Sequence, residues 1–93
     1  MELEQVNGQG GGRFNALKDG EEVGYVNYSW MGKDRLSMDY VKVRSELSGQ
    51  GIGKEIVVAV ADFAREHDLK ITPVCGFARI TFQRNEELHD VLA

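Results

Sequence analysis

The stretch SGQGIGKE, Ser48 to Glu55, decides how this chain is read. Glycines stand at Gly49, Gly51 and Gly53, a lysine follows at Lys54, and a long apolar-periodic run begins. Glycine is unfavourable in regular structure, so three of them ahead of a helix signal an unusual turn or a close approach to the backbone. The second option implies a phosphate group resting on the unpaired amides at a helix N-terminus. Two phosphate loops fail on spacing. The ATP-type loop would need glycine where Ser48 stands and a hydroxyl where Glu55 stands, and the dinucleotide pattern would need glycine at Lys54. A backbone cradle for a diphosphate, built from residues 48 to 54, is what remains.

Downstream of Gly53 the apolar period becomes helical. Ile52, Ile56, Val60, Phe63 and Ala64 share one face, widened by Val57 and Ala59, while Lys54, Glu55, Asp62, Arg65 and Glu66 occupy the rest. The helix is expected to end near His67-Asp68, where His67 complements its C-terminal end. Leu69 to Val74 then reads as a short strand, and strand–helix–strand implies a right-handed crossover and a parallel pair. Pro73 cannot donate to a ladder, so this strand is expected at an edge or splayed from its neighbour. A second helix is expected after Cys75-Gly76. Asn85 is positioned to cap a last short helix over EELHDVLA.

Upstream, residues 13 to 43 are strand-like. Asp19-Gly20 between two extended runs is a hairpin signal, because a type I′ turn needs positive φ. In the run Val23 to Trp30, Val23 and Tyr25 fall on one face and Val26, Tyr28 and Trp30 on the other, as in a central strand. MGKD forms the next turn and Arg35 to Val43 the third strand, whose alternation slips by one at Tyr40-Val41; a β-bulge produces such a slip. Residues 1–12 are polar and end in GQGGG, the composition of a flexible leader. The domain is therefore expected over 13–93, as an α/β (α+β) fold with a mixed, mainly antiparallel sheet in the order β-β-β-α-β-α.

Bulk properties bound the function. With 93 residues and 42% hydrophobic content, the chain is a single small globular domain. A net charge of −4 argues against nucleic acid as the main partner, and no apolar run reaches the length of a membrane span. One cysteine, Cys75, excludes an internal disulfide and fits a reducing, cytoplasmic setting; with two distant histidines it makes no metal site.

The glycine stretch resembles the pyrophosphate loop of GCN5-related N-acetyltransferases, whose pattern is Gln or Arg, two residues, Gly, any residue, then Gly or Ala. Gly51 and Gly53 match the glycine pair, and Ser48 replaces the Gln or Arg. The run from Ser45 to Phe77, with Leu69-Lys70, Cys75 and Phe77, is similar to a small single-domain subfamily of that group. Tyr40-Val41, Gly76 and Thr81 stand where that subfamily often has His-Thr, proline and tyrosine. The resemblance implies a GNAT-like fold, acetyl-CoA as cofactor, and direct transfer of its acetyl group to a small-molecule or peptide amine. It implies two strands, Asp39 to Arg44 and Ile71 to Val74, splayed around the pantetheine arm.

On this reading the cofactor contacts are Val41, Val43, Ser48, Gly49, Gln50, Gly51, Ile52, Gly53, Lys54 and Arg79, with Arg44 as a further cation. Cys75, at a strand end and helix start, is the candidate nucleophile or acid, and Tyr40 with Asp39 the candidate pair for handling the amine. The chain has little room for an acceptor wall, so an open acceptor site, or a homodimer completing it, is expected. The competing classes are a non-enzymatic acyl-CoA or CoA-binding module and an interaction domain with a vestigial loop.

Overall fold

The type I′ signal at Asp19-Gly20 is realised in the computed structural model, which describes residues 1–93: both residues have positive φ, 53° and 83°. They join β2 (Gly11–Lys18) to β3 (Glu21–Trp30), and β4 (Arg35–Val43) pairs antiparallel on the far side of β3. The central place expected for Val23 to Trp30 follows, because the sheet order is β1-β2-β3-β4-β5. A 3-10 turn (Ser45–Leu47) leads into α1 (Ile52–Glu66), β5 (Lys70–Pro73) returns parallel to β4, and α2 (Gly76–Arg84) follows.

Three features depart from the sequence reading. The segment expected as a flexible leader contains β1 (Glu2–Gly8), an edge strand antiparallel to β2 through a turn with Gly10 at φ 79°. Its inward side chains are mostly polar, which hid the alternation. Gln5 donates to the Tyr28 hydroxyl, which itself donates to Asn7, so β1 satisfies a buried phenol as well as laying Leu3 on the core. Second, Val23 is the unpaired residue of a bulge opposite Ala16/Leu17, and it turns into the core with Val26 and Tyr28 instead of sharing the face of Tyr25. Third, the last element is a 3-10 helix, Glu86–Val91, and Asn85 does not cap it; its side-chain amide donates back to the Thr81 carbonyl.

The phase slip in β4 is real. Asn27 pairs Tyr40 while Tyr28 pairs Met38, which leaves Asp39 as the extra residue, one position before the predicted slip. Its carboxylate accepts hydrogen bonds from Ser29 and Ser37 at 2.5 and 2.7 Å. Leu36 and Met38 before the bulge point into the core, and Val41 and Val43 after it regain that side.

One core joins all the elements. Phe14, Val26, Leu36, Met38 and Ile71 from the sheet meet Ile56, Val57, Val60, Ala61 and Ala64 from α1, Ala78 and Phe82 from α2, and Leu88 and Val91 from the 3-10 helix. The predicted α1 face holds at Ile52, Ile56, Val57, Val60 and Ala64, with Ala61 added, Phe63 only partly buried and Ala59 outside the core. Burial of each large side chain contributes roughly 1.5–3 kcal/mol, so this cluster dominates stability. The other sheet face carries Arg13 over the Tyr25 ring at 3.9 Å and Tyr40 beside it, with Arg13 and Tyr40 exposed. No helix is long and apolar enough to cross a membrane.

Candidate active site

The parallel pair β4–β5 is short. It runs from Arg35↔Lys70 to Met38↔Pro73 and stops there. The N–H groups of Val74 and Cys75 both donate to the Met38 carbonyl, at 3.0 and 3.1 Å, and the chain then leaves the sheet to start α2. The bulge at Asp39 and the missing N–H of Pro73 sit on either side of this divergence. From Asp39 onward β4 has no partner on its outer side.

Ahead of α1 the backbone turns twice through the left-handed region, at Gly49 (φ 81°) and Gly51 (φ 78°). A Cβ at either position would meet nothing within 4 Å, so the space beside both is open. Gly51 is the N-cap of α1 and offers no side-chain cap. The N–H groups from Gly49 to Lys54 have no acceptor within the protein. Such a row of outward amides at the positive end of a 15-residue helix attracts an anion, and the glycines keep its approach clear. The loop therefore fits a diphosphate-bearing ligand.

A cavity of about 510 Å³ connects the loop to the free edge of β4, lined by Val41, Val43, Leu47, Ser48, Gly49, Gly51, Ile52, Gly53, Lys54 and Phe77. Of the ten residues expected to hold a cofactor, Gln50 and Arg79 are not on its wall. Gln50 is exposed on the loop, and Arg79 is exposed on α2. Lys54 is free of any ion pair, whereas Arg44 is turned to Glu46 at 2.9 Å and to the Glu22 carbonyl. Gly53 differs from the other two glycines: a Cβ there would lie 2.6 Å from the Phe77 ring, so its bareness seats an aromatic side chain. Leu47 and Phe77 were not among the predicted contacts; only the position of Phe77, two residues after Cys75, marked it.

Cys75 is the N-cap residue of α2 and is half-buried. Burial pushes its thiol up, but the backbone N–H groups of Ala78, Val41 and Phe77 directed at the sulfur outweigh this, and the net effect lowers its pKa below the ordinary thiol value. Two of those donors belong to the first turn of α2 and the third to the free edge of β4. The thiol thus lies where the two strands part. Tyr40 is placed elsewhere: its neighbour Val41 lines the cavity, so Tyr40 projects to the opposite sheet face, its ring 6.2 Å from that of Tyr25. Asp39 is held by its two serines near the same divergence. A larger open groove, about 780 Å³, lies between β1 and α1 along Leu3, Val58 and Phe63, but it holds no thiol and no glycine loop.

A combination of splayed parallel strands, a glycine loop on a helix N-terminus and a five-stranded mixed sheet is the fold of the GCN5-related N-acetyltransferases. The family description that matches residues 13–91 is GCN5-related N-acetyl-transferase, and the chain belongs to that family. Among solved structures it is similar to a GCN5-like protein from Staphylococcus aureus, with 29% identity over 98% of this chain and 88% of that one and a TM-score of 0.70. It is also similar in fold to a ribosomal-protein-alanine N-acetyltransferase from Brucella melitensis biovar Abortus 2308, with 23% identity over 83% of this chain and 64% of that one and a TM-score of 0.63. A third similar fold is a GNAT family acetyltransferase from Elizabethkingia anophelis with acetyl-CoA bound, with 18% identity, 82% and 52% coverage and a TM-score of 0.61. The chain spans under two thirds of these two longer proteins. No curated protein matches the chain.

Proposed function

We propose that this chain binds acetyl-CoA in the cavity between the glycine loop and β4 and transfers the acetyl group to an amine. The observation that carries this reading is the continuity of one cavity from the row of free amides at Gly49 to Lys54 up to the unpaired edge of β4 at Val41 and Val43. Acetyl-CoA supplies an acyl group activated as a thioester. The loop amides and the Lys54 ammonium hold the diphosphate, and the free N–H of Val43 offers a strand-like hydrogen bond to the arm. The short β4–β5 pairing leaves room for that arm.

Cys75 stands at the far end of this path as the nucleophile. Three N–H groups directed at its sulfur favour the thiolate, which suits attack better than proton donation. With acetyl-CoA bound, the Cys75 sulfur would bond to the acetyl carbon as that carbon's bond to the CoA sulfur broke, with water protonating the thiolate that leaves; an acceptor nitrogen would then bond to the acetyl carbon, lose a proton to solvent, and free Cys75. The Val41 N–H, already aimed at this point, is positioned to steady negative charge on the carbonyl oxygen.

Titration calorimetry with acetyl-CoA tests the binding step; no saturable heat at millimolar ligand discards it. Thiol release from acetyl-CoA across a panel of amines and peptides tests the transfer, and binding without release makes the chain an acyl-CoA-binding module. Cys75→Ala is expected to abolish release while leaving acetyl-CoA binding in place. Unchanged release in that variant rules out the covalent route.

A further inference from the structure

The aromatic ring of Phe77 is unusual for a large apolar side chain in this fold. It is 46% exposed, yet one edge is seated on the backbone of Gly53, so closely that a Cβ there would lie 2.6 and 2.9 Å from its ring carbons. The contact joins the second residue of α2 to the first turn of α1, two elements otherwise brought together through the core. The free part of the ring forms the apolar wall of the 510 Å³ cavity with Val41, Val43, Leu47 and Ile52. One end of that cavity is the amide cradle, where an aromatic ring has nothing to offer a phosphate. The other end is the β4 edge leading to Cys75, which lies two residues before Phe77 in the chain.

We propose that Phe77 is the contact residue for the uncharged arm of the cofactor, its ring held by Gly53 so that it covers the stretch between the diphosphate and the thioester. This rests on the acetyl-CoA reading above and assigns the third loop glycine to it: Gly49 and Gly51 serve the phosphates, and Gly53 serves the ring. A half-exposed phenyl face that becomes covered on binding is worth about tenfold in affinity. The gain is confined to ligands that carry the arm.

The test uses two probes, CoA and adenosine 3′-phosphate 5′-diphosphate, the part of CoA that lacks the arm. Binding of each is measured by calorimetry to the wild type, Phe77→Ala, Gly53→Ala and the double variant. Phe77 is half-exposed and its removal leaves the core intact, so the variants are expected to fold, which circular dichroism checks. Phe77→Ala is expected to weaken CoA about tenfold and leave the nucleotide unchanged. Gly53→Ala is expected to weaken CoA by displacing the ring, and to have no further effect once Phe77 is alanine. Equal losses for both probes in Phe77→Ala, or none, overturn the proposal. A loss for the nucleotide in Gly53→Ala that persists without the ring also overturns it, because Gly53 then admits phosphate directly. If the wild type binds neither probe, the acetyl-CoA reading fails first and this assignment with it.

Discussion

Gly51 and Gly76 allow the backbone argument to be tested without packing effects. A Cβ at either position would meet nothing within 4 Å, but only Gly51 has positive φ. At Gly51 (φ 78°, ψ 8°) an alanine pays about 1–2 kcal/mol for the left-handed conformation. The lost freedom of the unfolded chain returns about 0.4–1 kcal/mol. Gly51→Ala is therefore expected to destabilise by about 1 kcal/mol, a drop of about 4–8 °C in Tm for a domain of this size. Gly76→Ala lies at the first residue of α2 with ordinary φ, so it meets no strain and is expected to be neutral or to stabilise by up to about 1 kcal/mol. Gly51→Asn is expected to recover part of the loss, since asparagine tolerates this region better. Thermal unfolding followed by circular dichroism, repeated in urea, measures all three. Equal shifts for Gly51→Ala and Gly76→Ala would refute the reasoning, because the two sites differ only in backbone conformation and local element.

Other expectations follow from the same structure. Alkylation of Cys75 by iodoacetamide, measured against pH, is expected to have its midpoint below that of a free cysteine peptide, and the difference is expected to vanish on unfolding in urea. The Asp90 carboxylate is held below the usual range chiefly by its hydrogen bond from Arg65, at 2.5 Å. A depressed carboxylate pKa gives stability that is present above the unfolded value, about pH 4, and is lost as pH falls through the folded one. Asp90→Asn is thus expected to lower Tm at neutral pH by an amount that shrinks in acid; a pH-independent difference would point to packing. Phe82, 1% exposed, is expected to cost about 3–5 kcal/mol on truncation to alanine, against less than about 0.5 kcal/mol for Ile80, its half-exposed neighbour two residues earlier; urea midpoints decide this.

Much of the fold was legible because its signals are local. Asp19-Gly20 fixes a turn through positive φ, the helical period of α1 marks its buried face, and Pro73 marks an interrupted ladder; none needs knowledge of distant partners. What stayed hidden depends on partners far along the chain. β1 is invisible as a strand because its inward Gln5 and Asn7 are explained only by the Tyr28 hydroxyl, more than twenty residues away. The second bulge, at Val23, leaves no slip in hydrophobic pattern, since both faces of β3 carry large groups. The slip in β4 was readable because apolar residues stand on both sides of Asp39. In the site, the loop could be read from glycine spacing, but glycines of one motif turned out to answer different demands. Spacing cannot tell a glycine needed for positive φ from one whose missing Cβ makes room for a ring.

That distinction bears on how cofactor binding and chemistry are joined. The cradle sits on α1 and the thiol on α2, and neither element alone sets the distance between them. Two contacts and one electrostatic influence bridge the gap: the forked hydrogen bonds from Val74 and Cys75 to Met38, the Phe77 ring on Gly53, and the Val41 N–H, which helps lower the Cys75 pKa. Two of the three run through β4 on either side of the bulge at Asp39. The extra residue therefore has a geometric role, since it ends the pairing with β5. Deleting Asp39 should restore an unbroken register, with Tyr40 still outward and Val41 still inward, and let β5 pair on past Met38, closing the gap and drawing Val41 away from Cys75. Such a variant is expected to raise the Cys75 pKa, seen as a later alkylation midpoint, as well as to lose acetyl-CoA binding. A folded deletion variant with an unchanged midpoint would show that the α2 amides alone set the thiol, and that the bulge serves only the sheet.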